Sequence, residues 1–186
     1  NNKNFTKEIN RFKKFCKENQ KKVIYISTYS IGDFLRAKKK YVKNKIKIEK
    51  IIKKKCPNYL IIRLPEIVGQ NKNPNSLTNF FYNKIKSDQS FDLFKKTKRN
   101  LLDVDDALEN CIKIIRRNMN KNKTVNLLNN KFYSPSQIIN ILQNILNKKA
   151  LYEKKIIKKN TLRLKNIFFV KTNKNYLKKI LIKYYK

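Results

Sequence analysis

The sequence predicts an α/β fold built on a parallel sheet with flanking helices, and three observations predict it. Two short runs, VIYIS at 23–27 and YLIIRL at 59–64, are apolar and rich in β-branched residues, as strands buried on both faces of a parallel sheet are. Residues 36–55 between them hold no Gly or Pro and space Val42, Ile46, Ile48, Ile51 and Ile52 among lysines, as a long helix does. Strand, helix, strand is the rhythm of a βαβ unit.

Each element can be justified in order. Phe5, Ile9, Phe12 and Phe15 or Cys16 recur at three-to-four spacing, which predicts an amphipathic helix ahead of the first strand. Pro57 marks the end of the long helix, and Pro65 and Gly69 close the second strand. After the polar loop QNKNPNS, Ser76 opens a helix carrying Leu77, Phe80, Phe81 and Ile85. RNLLDVDD at 99–106 reads as a short extended segment whose aspartates cap a helix with Leu108, Cys111, Ile112 and Ile115 on its apolar face. VNLL at 125–128 is a third strand, and Ser134, Pro135, Ser136 and Gln137 form a capping box before Ile138, Ile141, Leu142 and Ile145. From Lys154 onward a short strand and a terminal helix are expected.

At 186 residues with 40% apolar content, the chain has material for an ordinary core. It starts at Asn1 with no leader pattern, and the expectation is that it begins mid-protein. Its apolar runs fall far short of the roughly 20 residues a membrane span needs, so the reading is a soluble, cytoplasmic chain with no membrane partner. Cys16, Cys56 and Cys111 lie far apart, form no CxxC and have no histidine to join, so no metal site is expected and all three read as buried or free thiols. The net charge of +35, from 47 basic and 12 acidic residues, would suit nucleic acid or an anionic surface. The lysines are spread along the whole chain, however, and travel with an excess of Asn and Ile, as A/T-rich codons produce. Arginine, the better phosphate reader, is scarce. A nucleic-acid partner is therefore not the reading.

The two glycines, Gly32 and Gly69, both follow strands and are expected where backbone geometry demands them. In an open α/β sheet, ligands bind beyond the carboxyl ends of the strands, so STYSIGD and PEIVG point at the same edge. Tyr41 and Lys45 stand one helical turn apart and share a face. An ammonium beside a phenol stabilises the phenolate and brings a poor base toward a useful range. Ser27 or Thr28, at the strand end, can bind the same substrate oxygen.

In this order the segments resemble the extended short-chain dehydrogenase/reductases, in particular the NAD-dependent epimerase/dehydratase group acting on nucleotide sugars. NNKNFT at 1–6 resembles NNxxGT, VIYISTYSIGD at 23–33 is similar to vSSxxvYG, and YVKNK at 41–45 matches YxxxK. RLPEIVG at 63–69 resembles RxxNvyG, PNSL at 74–77 PNNL, RNLLDVDD RdfihVdD, and TVNLLNNKFYSPSQI at 124–138 the segment vyNigs with its following helix. The likeness covers residues 1 to about 150. It implies a partial Rossmann-like parallel sheet with flanking helices plus a small C-terminal substrate-binding subdomain. Residues 1–70 would hold the end of the cofactor domain and 71–186 mainly the substrate part.

The resemblance further implies that Tyr41 is the general acid/base, with Lys45 lowering its pKa and holding the nicotinamide ribose. Thr28, with Ser27 as understudy, would orient the oxygen. Asn2, Ser27, Tyr41, Lys45, Pro65 and Val68 would border NAD or NADP, and Glu66, Ser76, Leu77 and Arg99 the nucleotide sugar, with Arg99 on the diphosphate. A homodimer through the YxxxK helix is implied as well. The departures are Phe5 for the glycine of NNxxGT, a contraction that removes the tyrosine of vYG, Asn44 for serine, Glu66 for asparagine, and no GxxGxxG turn at all. The expectation is the C-terminal part of a longer enzyme, inactive alone, that oxidises, reduces or epimerises a nucleotide-linked sugar for polysaccharide synthesis. The rivals are a basic scaffold for RNA or an acidic partner, and a degenerate relic. Taken residue by residue, Ser27 and Thr28 also suit a strand-end turn, Arg99 a surface cation, Asp105 and Asp106 helix caps, and Glu66 a solvated loop.

Overall fold

The computed structural model describes residues 2–18, 22–71, 73–118, 122–156 and 164–186, with the side chains of 2–5, 17, 18, 34 and 35 excepted. It is an α/β structure with parallel strands and flanking helices, as the sequence predicts. The chain divides into two compact units. The first comprises Asn1–Leu64, Leu108–Leu127 and Asn160–Phe168, and the second Pro65–Ala107, Leu128–Lys159 and Phe169–Lys186.

The first unit opens with α1 (Asn2–Glu18), β1 (Val23–Thr28), a 3₁₀ turn at Tyr29–Gly32, the short α2 (Phe34–Ala37), α3 (Lys40–Lys55) and β2 (Tyr59–Leu64). β1 runs parallel to β2 with Ser27 opposite Arg63, and β2 runs parallel to β6 (Lys123–Asn129), beyond which lies β8 (Ile167–Val170). Cys16, Val23, Tyr25, Ile48, Ile52, Cys56 and Ile61 form one apolar cluster, so α1 and α3 share a face of β1 and β2. Phe12 meets the Tyr25 ring edge-on at 5.3 Å.

Three expectations fail here. β1 is not buried on both faces: Ile24 and Ile26 are each 42% exposed while Val23, Tyr25 and Ser27 are buried. The reason is which face the helices cover: α1 and α3 pack on the side that carries Val23 and Tyr25, and Ile24 and Ile26 alternate onto the opposite side. The long helix starts at Lys40 and not at residue 36, because Lys39 is extended and separates α3 from α2. Cys16 and Cys56 are not free thiols but a disulfide joining α1 to the end of α3, with Cα atoms 5.3 Å apart, while Cys111 is free and buried.

The second unit holds two further parallel pairs, β3 (Glu66–Val68) with β5 (Leu101–Asp103) and β4 (Phe91–Lys95) with β7 (Tyr152–Ile156). Its helices are α4 (Leu77–Lys86), α6 (Pro135–Leu146) and α7 (Tyr176–Tyr185), with α4 against α6 and α6 against α7. The capping box at Ser134 and Gln137 forms as predicted, with both reciprocal bonds made. α5 (Val104–Arg117) is turned from its predicted face. Ala107, Cys111 and Ile114 are buried, whereas Leu108 is 63% exposed and Ile112 41%. Its start is capped by Asp103, which accepts from the Asp105 N–H at 2.9 Å, so Asp105 and Asp106 are not the caps.

Neither glycine stands at a positive φ. Gly69 instead answers a close approach: a Cβ there would sit 3.0 Å from Cγ1 of Val104. Among the described residues no helix is long and apolar enough to cross a membrane.

Candidate functional site

In the first unit the predicted residues gather at the carboxyl end of β1. Ser27 and Thr28 are its last two residues, and both are buried. The Thr28 hydroxyl accepts from the Ser30 N–H at 3.1 Å and caps the 3₁₀ turn, which leaves its own O–H as a donor. The turn is held further by Arg36, whose guanidinium donates to Ser30 Oγ at 3.0 Å. Ser27 Oγ has no hydrogen-bond partner among the described residues, and neither do Tyr25 Oη and Asn44 Nδ2. A buried polar atom without a partner is costly, and such atoms gather where a ligand or water completes them.

Tyr41 is the second residue of α3 and 53% exposed. Lys45, one turn on, donates from Nζ to the Ile26 carbonyl at 3.3 Å. The same Nζ lies 4.7 Å from the Tyr25 ring centroid and 5.7 Å from that of Tyr41. The ammonium therefore sits over β1 immediately before Ser27. Burial lowers the Lys45 pKa, against an opposing pull from Glu8 and Glu49. Burial also pushes the Tyr25 phenol up, with Glu8, Tyr41 and Glu49 adding to it. Asn2 begins α1, and its side chain lies outside the described residues.

Glu49 and Arg63 are missing from the sequence-derived site. Glu49, on α3 one turn beyond Lys45, is 3% exposed and takes both ends of the Arg63 fork, from Nε at 2.9 Å and from a terminal nitrogen at 2.6 Å. One signal was readable: an arginine inside the otherwise apolar run YLIIRL needs a partner.

The predicted substrate residues lie in the second unit. Pro65 and Glu66 are half-buried, and the Glu66 N–H donates to the Asn100 carbonyl at 3.1 Å, next to Arg99. Arg99 exchanges both backbone bonds with Tyr133, at 2.7 and 2.8 Å. Val68 is buried opposite Asp103. Ser76 caps α4 by position, and its hydroxyl donates to the Asn73 carbonyl at 3.2 Å instead of receiving a helix N–H. Leu77, half-buried, follows as the first helical residue. The nearby loop is organised by Asn79, whose amide donates to Asn71 and Asn73. A cavity of about 440 Å³ in this unit is lined by Gly69, Asn71, Asn79, Tyr82 and Tyr185 among others.

Solved structures share this arrangement of strands and helices. A UDP-glucuronic acid 4-epimerase from Bacillus cereus, solved in complex with NAD, superposes with a TM-score of 0.63 at 17% identity, over 78% of this chain and 53% of that one. The fold is that of the NAD-dependent UDP-sugar epimerases. The Bordetella bronchiseptica enzyme WbmG, in complex with NAD and UDP, gives a TM-score of 0.59 at 16% identity, over 80% of this chain and 51% of that one. A UDP-glucose 4-epimerase from Thermotoga maritima, with UDP-glucose, gives 0.56 at 17% identity, over 80% and 58%. The chain spans about half the length of these proteins. No family model matches the sequence, and no curated protein matches it.

Proposed function

We propose that these residues are the catalytic and sugar-binding part of an NAD(P)-dependent nucleotide-sugar epimerase, dehydratase or reductase. The observation that carries the reading is the approach of Lys45 to the end of β1, beside Tyr41 and the orphaned Ser27 hydroxyl, within an epimerase fold. Tyr41 acts as the proton carrier at a sugar hydroxyl or ketone, and its exposure leaves the phenol open to substrate. Lys45 keeps positive charge beside that phenol, and the Thr28 O–H donates to the reacting oxygen. Arg99, Glu66, Ser76 and Leu77 hold the nucleotide sugar.

The chain's fit to a dinucleotide is partial. Ser27 and Lys45 offer polar atoms suited to the ribose nearest the nicotinamide. A chain with two glycines offers no GxxGxxG turn for the pyrophosphate. Bound NAD or NADP supplies the hydride acceptor and donor. The protein's own part is to orient the oxygen and move its proton.

The test uses the complete native polypeptide that contains these residues, with UDP-glucose and NAD. Sugar turnover is followed by chromatography for the native protein and for Tyr41→Phe. Turnover that collapses in the variant supports the reading, and equal turnover by both overturns it.

A further inference from the structure

α3 carries Tyr41 and Lys45, and among its polar attachments are two that tie it to the strands beneath. The first is the bond from Lys45 to the Ile26 carbonyl, which at 3.3 Å is long. The second is the fork between Glu49 and Arg63, with two bonds of 2.9 and 2.6 Å in side chains 4% and 12% exposed. Arg63 stands directly opposite Ser27 in the β1–β2 register. The fork therefore fixes the helix one turn past Lys45 to the strand position beside the orphaned hydroxyl.

A buried ion pair adds little stability over well-packed apolar side chains, because desolvation offsets the attraction. What a two-pronged fork adds is direction, since both bonds form only at one roll of the helix about its axis. Apolar contacts from Val42, Ile48 and Ile52 hold α3 down, and the fork adds a directional restraint to them.

We infer that Glu49, through Arg63, is a positioning residue that sets the roll of α3 and so holds Lys45 over the end of β1. The inference rests on the proposed function for its meaning, because it gives the fork a part in presenting the Tyr41–Lys45 pair.

The experiment uses this chain with isotopically labelled lysine, and reads nuclear Overhauser contacts between the Lys45 side chain and the Tyr25 ring. The contacts between Phe12 and Tyr25, in the same core, serve as the internal control. In E49Q the Lys45–Tyr25 contacts should be lost relative to the control, and E49D, which keeps the charge, should restore them in part. Because a lone buried arginine can prevent folding, E49M/R63M removes both charges together and should show the same loss. As a second readout in E49Q, where Arg63 is kept, the Lys45 titration midpoint should fall, because the Glu49 charge helps hold the ammonium protonated. The other charged or titratable groups acting on Lys45 or its surroundings include Glu8, Tyr25 and Tyr41, retained in every variant, and Arg63, retained in E49Q and E49D. Folded E49Q or E49M/R63M with Lys45–Tyr25 contacts like those of the unaltered chain would overturn the inference. No turnover is read here, so failure of the proposed function would appear only in the Tyr41→Phe assay.

Discussion

The two units differ in how fully several of their buried asparagines and tyrosines are bonded. In the second, the fully buried Asn129 is saturated: its amide donates to the Leu101 carbonyl and the Tyr133 hydroxyl, and its oxygen accepts from the Lys131 N–H and the Thr172 hydroxyl. Asn100 completes the set with bonds to the Asn129 and Lys131 carbonyls. Tyr176 likewise accepts from the Asp103 N–H and donates to Asp106. In the first unit, Tyr25, Ser27, Asn44 and Asn126 each keep a buried atom without a partner among the described residues. A closed network specifies a fold, whereas open valences beside a lysine and a tyrosine suit a site that something else completes.

The contrast can be broken by substitution on either side. The largest effect is expected from Tyr41→Phe in the complete polypeptide, where kcat should fall on the order of 10² to 10⁴ while the melting temperature holds. Next, Asn129→Ala should lose about 3 kcal/mol in urea unfolding, because several buried partners are orphaned together. A loss below a quarter of that would mean the second network is as open as the first.

The third test is pH. Burial and the bond to Asp106 hold the Tyr176 phenol above the ordinary tyrosine range. Since its folded pKa is raised, the stabilisation is complete below about pH 10, where the unfolded chain's tyrosine begins to ionise, and is lost as pH climbs further, at about 1.4 kcal/mol per pH unit until the folded phenol also ionises. Urea midpoints at pH 9 and 11 should therefore differ by more in the unaltered chain than in Tyr176→Phe. A smaller effect, about 1 kcal/mol, is expected for Ser134→Ala, which removes one cap of α6. Smallest is Ser27→Ala, which gives up a hydroxyl with no partner and should alter stability by roughly 0.5 kcal/mol or less. A large loss there would show that the hydroxyl belongs to the fold.

Features written in local chemistry were legible in the sequence. The Ser134 box, the stop at Pro57, the buried run around Ile61 and the one-turn spacing of Tyr41 and Lys45 all depend on neighbours within a few residues. What escaped was set by distant partners. Ile24 and Ile26 look like core residues until α1 and α3 prove to pack on the opposite face of β1, and the pairings of β3 with β5 and β4 with β7 join segments far apart in sequence. The break at Lys39 carries no Gly or Pro to announce it. Glu49 reads as one more exposed helix charge until Arg63 is placed opposite it. Within the site, residue types, their order and the strand-end turn at Thr28 were readable, but the bond of Lys45 to the Ile26 carbonyl was not.

The bond between Cys16 and Cys56 closes a covalent ring across a sequence separation of 40. Ser27, Thr28, Tyr41, Lys45 and Glu49 all lie inside that ring. By chain-entropy arguments, a closed loop of this size is worth about 4 kcal/mol against unfolding. It has a second consequence when the backbone is cut. A protease that nicks the extended link at Lys39, between α2 and α3, leaves Ser27 and Tyr41 on separate peptides held by sulfur alone, so the nicked molecule runs as one species until a reductant parts them.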